Sequence, residues 1–278
     1  MKTAVLTVIY PEAIIYFDEY CECIFNQTYK NFDLLLINDG CDLAYVREKF
    51  RMFNLKILEP KRNPIKNREY GIKYAFEHEY ECLIFCDIDD CFKYTRIQKI
   101  IDNIKNADIV AHDLNIVDES RNTLINDYFS FSINSKTIID ADFIKEKNCL
   151  GLSNTAIKLQ DKAVVEFPED VIIGDWYYYT ICLRRGLSVK YIAESLTDYR
   201  QHSNNLIGID DFTEELFMKL VKLKINHYLK ISDVYPEYVL QLFQTKKLQE
   251  LSLDDIRKLI TKNKKINPHP LWWENVKL

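Results

Sequence analysis

The first hundred residues set the strongest constraint on this chain, because short β-rich apolar runs alternate there with longer amphipathic stretches. The runs Ala4 to Ile9, Phe32 to Ile37, Leu55 to Leu58 and Cys82 to Cys86 are short and bounded by turn residues, which is how strands read. Between them, Ala13 to Phe25 and Asn67 to Glu79 carry apolar residues at helical spacing, Ile72, Ala75 and Phe76 among them. Strands and helices in alternation imply an α/β chain with a largely parallel sheet flanked by helices, wound on both faces. Ligands of such sheets collect where the strands end. The polar residues just past the strand ends, Asp39 and the group Asp87, Asp89 and Asp90, are therefore the first candidates for chemistry.

Beyond about residue 105 the alternation loosens. Asp108 to Leu114 and Asn154 to Leu159 read as strands and Ile173 to Arg185 as a helix, so a mixed and less regular half is expected. From about Asp210 the chain turns helical and Lys-rich, with Phe212, Leu216, Leu220 and Leu223 on one face and Lys219, Lys222 and Lys224 interleaved. The expected division is a catalytic domain over 1–210 and a helical C-terminal appendage over 211–278, with Pro236 and Pro268 separating short helices.

Composition excludes several classes. With 47% hydrophobic and 28% charged residues the chain can build a sizeable core, and disorder is not expected. A net charge of -5 gives no broad basic face for nucleic acid. Lys2 and the six-residue stretch Ala4 to Ile9 are too short for a signal-peptide core or a membrane span, so a cytoplasmic protein is expected. The eight cysteines contain no CxxC pair and lie largely in apolar runs, which reads as reduced, buried thiols. The spacing of Cys82, Cys86 and Cys91 matches no usual structural zinc pattern.

The strongest local signal is Leu83-Ile84-Phe85-Cys86-Asp87-Ile88-Asp89-Asp90, which places three carboxylates within four positions at the end of an apolar strand. Like charges this close repel unless a cation neutralises them. Oxygen ligands suit Mg²⁺ or Mn²⁺, ions that commonly bridge to substrate phosphates. A second apolar strand ends in Asn38-Asp39-Gly40-Cys41-Asp42, an acidic turn. Downstream, Gly174-Asp175-Trp176 opens a helix, and Asp198-Tyr199-Arg200-Gln201-His202-Ser203-Asn204-Asn205 brings a cation, an imidazole and amides together just after a strand. Taken singly, each element is also what a turn former, a helix N-terminus or a structural histidine would look like.

Their order resembles family 2 of the inverting glycosyltransferases, with the GT-A fold, from about Lys2 to Asn205. Members show a first strand, a helix ending like Asn26-Gln27-Thr28-Tyr29, and a strand ending in Asp-Asp-Gly-Ser, here Asn38-Asp39-Gly40-Cys41. An Ala-Arg-Asn-x-Gly helix start follows, here Asn67-Arg68-Glu69-Tyr70-Gly71, and then Asp-Ala-Asp-Asp, here Asp87-Ile88-Asp89-Asp90. Gly151-Leu152-Ser153 is similar to the acceptor-side loop, Gly174-Asp175-Trp176 to the Glu-Asp-Trp element, and Tyr199 to Asn205 to the closing Tyr-Arg-x-His-x-x-Asn segment.

The resemblance implies a GT-A-like, Rossmann-related mixed sheet and transfer of a sugar from a nucleoside-diphosphate sugar, with UDP favoured, to an acceptor hydroxyl. Asp39 would hold the base, Asp87 would lie near the ribose or metal, and Asp89 would ligate Mn²⁺ or Mg²⁺. Asp175 would be the general base. Arg68 would add positive character at the donor phosphates, and His202 would stand with Asp89 at the metal. A bacterial polysaccharide or glycoconjugate pathway is the implied setting, with a glycan or lipid-linked acceptor.

Departures from the pattern are Tyr10-Pro11 for Pro-x-Tyr-Asn, Asn38 for the first Asp of the base-binding pair, Glu69 for the helix Asn, and Gly174 for Glu. They leave a catalytically silent, ligand-binding relative as the alternative. A nucleotidyltransferase lacks its Gly-rich basic loop here, and a Rossmann dehydrogenase lacks its GxGxxG after the first strand. In the appendage, Lys262, Lys264, Lys265, Trp272 and Trp273 suggest peripheral contact with the inner face of an anionic membrane, against the plainer reading of solvated lysines and packed aromatics.

Overall fold

The computed structural model describes residues 1–59, 63–202, 213–266 and 276–277. Pro268, Trp272, Trp273, Phe212, Asp210, Ser203 to Asn205 and the side chains of Lys264 and Lys265 lie outside the described residues, as does the expected boundary between 210 and 211.

Along the chain run β1 (Thr3–Ile9), α1 (Phe17–Phe25), β2 (Asp33–Asn38), α2 (Leu43–Lys49), β3 (Leu55–Leu58), α3 (Pro64–Glu77), β4 (Cys82–Phe85), β5 (Cys91–Phe92) and α4 (Arg96–Asn103). There follow β6 (Ile109–Val117), β7 (Thr123–Ile125), β8 (Thr155–Lys158), α5 (Gly174–Arg184), β9 (Val189–Arg200), α6 (Glu214–Ser232), α7 (Val239–Lys247) and α8 (Leu253–Ile266). The strands form one mixed sheet in the order β3-β2-β1-β4-β8-β6-β9-β5, with β7 paired to β6. β1 to β4 are mutually parallel, and β8 joins β4 antiparallel.

Every residue of β1 is buried, because helices cover both faces of the sheet. Successive side chains point to opposite faces. Ala4, Leu6 and Val8 therefore join a core with Ile72 and Ala75 of α3, while Val5 and Ile9 join another with Phe17 and Ile24 of α1. α3 begins at Asn63, whose side chain accepts from the backbone N–H groups of Ile65 and Lys66, with Pro64 at the first helical position. It packs close to β1 at Gly71, where a Cβ would lie 2.6 Å from a Leu6 methyl.

Four expectations are corrected. The helix expected over Ala13 to Phe25 is a 3₁₀ segment, Pro11–Tyr16, followed by α1, since no side chain caps its start and Pro11 fixes the entry. The strand expected to stop at Leu114 runs on to Val117, because β9 pairs parallel with β6 past a bulge at His112 to Leu114. For the same reason Asp198, Tyr199 and Arg200 lie within β9 and not after it. Lys224, expected on the solvated face of α6, is buried and donates to the Val276 carbonyl at 2.9 Å.

Helix α6 is not solvent-separated from the sheet layers. Phe217, Leu220, Val221 and Tyr228 share an apolar cluster with Trp176 and Ile181 of α5, and the His227 ring stacks on Trp176 at 3.8 Å between centroids. All eight cysteines are free thiols, and six are buried. No described helix is long and apolar enough to cross a membrane.

Candidate functional site

The parallel strands β1, β2 and β4 end side by side, and their following loops line a cavity of about 760 Å³. Tyr10, Pro11 and Glu12 come from the loop after β1, Asp39 from that after β2, and Asp87, Ile88 and Asp89 from that after β4. Arg68 enters from α3 and His202 from the segment after β9. Five of the six predicted site residues thus meet in one cavity.

Their contacts are specific. Asp39 accepts a hydrogen bond from Asn67 Nδ2 at 3.1 Å. Its neighbour Asn38 folds back instead, exchanging two hydrogen bonds with the backbone of Cys41 and closing a turn in which Gly40 has φ of 103°. Where an Asp is common, this chain therefore uses an amide as a turn staple. Arg68 and Asp87 form an ion pair, and Ser153 Oγ donates to Asp87 at 2.7 Å. Asp89 Oδ2 and His202 Nε2 are 2.9 Å apart.

The three carboxylates of the acidic cluster do not share one environment: Asp87 and Asp89 line the cavity and Asp90 does not. Asp90 is buried away from the cavity and accepts from the Arg200 backbone N–H at 2.9 Å. Burial, aided by repulsion from Asp89 and Asp87, pushes its carboxyl well above the usual range.

Two buried arginines hold this loop, of which the sequence pattern pointed to Arg200 and not to Arg96. Arg200, the cation of the closing segment, turns away from the cavity, donates from Nε to the Asp89 carbonyl at 2.7 Å, and pairs with Glu19. Arg96 donates to the carbonyls of Phe85 at 2.8 Å and Ser153 at 3.1 Å and to His112 Nε2 at 2.8 Å, which fastens the end of β4 to the Gly151-Leu152-Ser153 loop. Each arginine's partners are scattered along the chain, so a linear reading does not show what either one holds.

The sixth residue, Asp175, lies in an adjoining cavity of about 310 Å³ that shares Arg68, Asp87 and Ile172 with the first. It occupies the first turn of α5, accepting from Trp176 N at 2.7 Å and from Asn148 Nδ2 at 3.2 Å. Desolvation dominates over these hydrogen bonds and raises its pKa from 3.8 to about 6. Gly151 backs onto it, 3.7 Å from Oδ2 to where a Cβ would stand. Gly174 faces α3, and a Cβ there would meet the Ile65 tip at 2.6 Å, so the position where a Glu is common is occupied here by a helix contact.

A family model described as glycosyl transferase family 2 matches residues 5–160, more than half of the chain. The chain belongs to that family. Among family 2 relatives and similar proteins, an uncharacterized glycosyltransferase of Bacillus subtilis (strain 168), YwdF, is 29% identical over 120 residues, covering 42% of this chain and 43% of its own. The amylovoran biosynthesis glycosyltransferase AmsB of Erwinia amylovora is 27% identical over 194 residues, 64% of this chain and 63% of AmsB. The chain thus spans about half to two thirds of the length of these relatives.

Two solved structures share the fold. S. aureus TarS 1-349 in complex with UDP-GlcNAc superposes with a TM-score of 0.62 at 14% identity, over 97% of this chain and 82% of that one. The mannosyltransferase PcManGT from Pyrobaculum calidifontis, in complex with GDP-Man and Mn²⁺, gives 0.61 at 12%, over 98% and 81%. The family 2 chain therefore has the expected GT-A-like architecture, a curled mixed sheet flanked by helices.

Proposed function

We propose that this chain transfers a sugar, with inversion at the anomeric carbon, from a nucleoside-diphosphate sugar to an acceptor hydroxyl, and that UDP is the preferred nucleotide. The observation that carries the reading is the join of two cavities: one with carboxylates, Arg68 and His202 at the strand ends, the other with a desolvated carboxylate, Asp175. Complexes of the structural neighbours with UDP-GlcNAc and GDP-Man support a nucleotide-sugar donor.

Within this reading Asp39, fixed by Asn67, accepts from an N–H of the base. Arg68, already paired with Asp87, places positive charge where the donor diphosphate and sugar meet. Asp175 accepts the proton of the acceptor hydroxyl as that oxygen attacks the anomeric carbon. A carboxyl raised to about 6 is a stronger base than an ordinary aspartate and is ionised at neutral pH. One such base, acting on the incoming hydroxyl, is what direct displacement with inversion requires.

Mn²⁺ or Mg²⁺ fits the donors present. Asp89 and His202, whose Oδ2 and Nε2 lie 2.9 Å apart at the cavity, are the residues that would hold the ion. No group of three or more His, Cys, Asp or Glu side chains forms a complete cage among the described residues. Such a pair suits an ion completed by phosphate oxygens and water. An ion held there would supply Lewis-acid neutralisation of the departing diphosphate. A glycan or lipid-linked acceptor, a bacterial polysaccharide or glycoconjugate product and a cytoplasmic site with peripheral membrane contact complete the proposal; the amylovoran biosynthesis relative supports the biosynthetic role alone.

The test is the thermal shift of the purified chain with UDP, GDP, dTDP and CMP, each with and without Mn²⁺. A ligand of the folded state raises the melting temperature by mass action. A metal-dependent response to one nucleoside diphosphate, lost in Asp89→Asn, is expected. No response to any nucleotide at millimolar concentration would put the silent-relative reading in its place.

A further inference from the structure

The smaller cavity differs from an ordinary sugar site in its lining. Apart from Arg68, Asp87 and Asp175, its wall is apolar and includes Ile65, Ile72, Leu152, Phe167, Ile172 and Tyr178. The Tyr178 hydroxyl donates to the Ala163 carbonyl at 2.9 Å, so its one donor is spent within the fold, and the side chain is fully buried. Arg68 and Asp87 pair with each other on the side this cavity shares with the larger one, where Arg68 Nη1 is left without a partner. A hydroxyl entering the far side of this cavity would lose its water and find no partner in that wall, whereas a methyl group would gain contact.

The wall is also held in place. Lys66 Nζ donates to the Phe167 carbonyl at 2.6 Å, and Glu69 Oε2 accepts from the Phe167 N–H at 2.9 Å. The two side chains pair with each other at 2.8 Å, so α3 grips both backbone groups of one residue. Phe167 then stacks on Tyr178 with ring centroids 5.7 Å apart and planes 14° from parallel. Glu69, a departure from the family pattern at the helix start, is a member of this clamp.

We infer that the sugar held beside Asp175 carries a methyl group, as a 6-deoxyhexose or an acetamido sugar does, and that the clamped apolar wall selects it. The inference rests on the proposed transferase reading and names its substrate class. The methyl-bearing sugar enters either as the donor's glycosyl group or as the acceptor, and the two are separable by experiment.

In the donor arm, isothermal titration with Mn²⁺ compares UDP-glucose with UDP-6-deoxyglucose and UDP-N-acetylglucosamine. In the acceptor arm, with UDP and Mn²⁺ present, it compares methyl mannoside and methyl galactoside with their 6-deoxy counterparts, methyl rhamnoside and methyl fucoside. A methyl-bearing member of one arm is expected to bind about tenfold or more tightly than its parent hexose, the discrimination a fitted apolar pocket supplies. Leu152→Asn, at a position that is not fully buried and lines only the smaller cavity, should reduce that ratio to about twofold while UDP still binds. Equal binding of parent and methyl-bearing sugars in both arms, with UDP and Mn²⁺ bound normally, overturns the inference and leaves the transferase reading standing. Failure of UDP to bind overturns both. A preference that survives Leu152→Asn overturns the assignment to this wall.

Discussion

The two adjoining cavities use opposite electrostatic designs. The larger is built on loops after parallel strands, where Asp39, Asp87 and Asp89 meet Arg68 and His202. The smaller surrounds Asp175 with apolar side chains, and desolvation there lifts a carboxyl to about 6. A polar rim with paired side chains suits charged phosphates and a divalent ion. An apolar pocket gives a carboxylate the basicity to take a proton. On the proposed reading, one chain separates charge binding from proton transfer by giving the same residue type two environments.

Replacing Asp175 with Asn should break the comparison most sharply. It is expected to lower kcat about 10³-fold, within the range for loss of a general base, while titration with UDP and Mn²⁺ gives an unchanged Kd. A matching loss of UDP affinity would show that the cavities are not functionally separate. Asp89→Asn should do the converse, with a loss of about 10²-fold in kcat/KM and of the Mn²⁺-dependent thermal response to UDP.

Gly71→Ala sharpens the comparison from below, because α3 supports both cavities. Its methyl would collide with Leu6, and chemical denaturation is expected to show a loss of about 1–3 kcal/mol. An unchanged midpoint would mean that α3 can shift from β1 freely, contrary to the packing described.

The smallest expected effect is the pH dependence of stability. The native Asp175 carboxyl binds a proton up to about pH 6, whereas the unfolded one does so only up to about 3.8. Between those values the native state holds more protons, so this group's contribution to stability falls as pH rises. Asp175→Asn should therefore stabilise the fold at pH 8 by at most ~3 kcal/mol, with the gain vanishing below about pH 4. Melting curves of both proteins across that interval would show it, and a constant difference would place the group in a solvated setting. Activity should rise through about pH 6 as the base loses its proton.

Much of this molecule was legible in one dimension. β1 to β4 and α3 follow from local apolar periodicity, and the placement of Asp39, Asp87 and Asp89 follows from where parallel strands end, since both rules operate over a few neighbouring residues. The sequence also carried the family through the order of weak motifs. It could not show that Asp90 turns inward, because alternate orientation of adjacent carboxylates depends on Arg200, 110 residues away. Nor could it show why Asn38 and Gly174 depart from the pattern: one closes its own turn, and the other leaves room for Ile65. The basicity of Asp175 and the clamp of Lys66 and Glu69 on Phe167 were likewise settled only by tertiary structure. Desolvation and long-range hydrogen bonding are properties of what surrounds a group in space, and in this chain those surroundings come from segments some hundred residues apart.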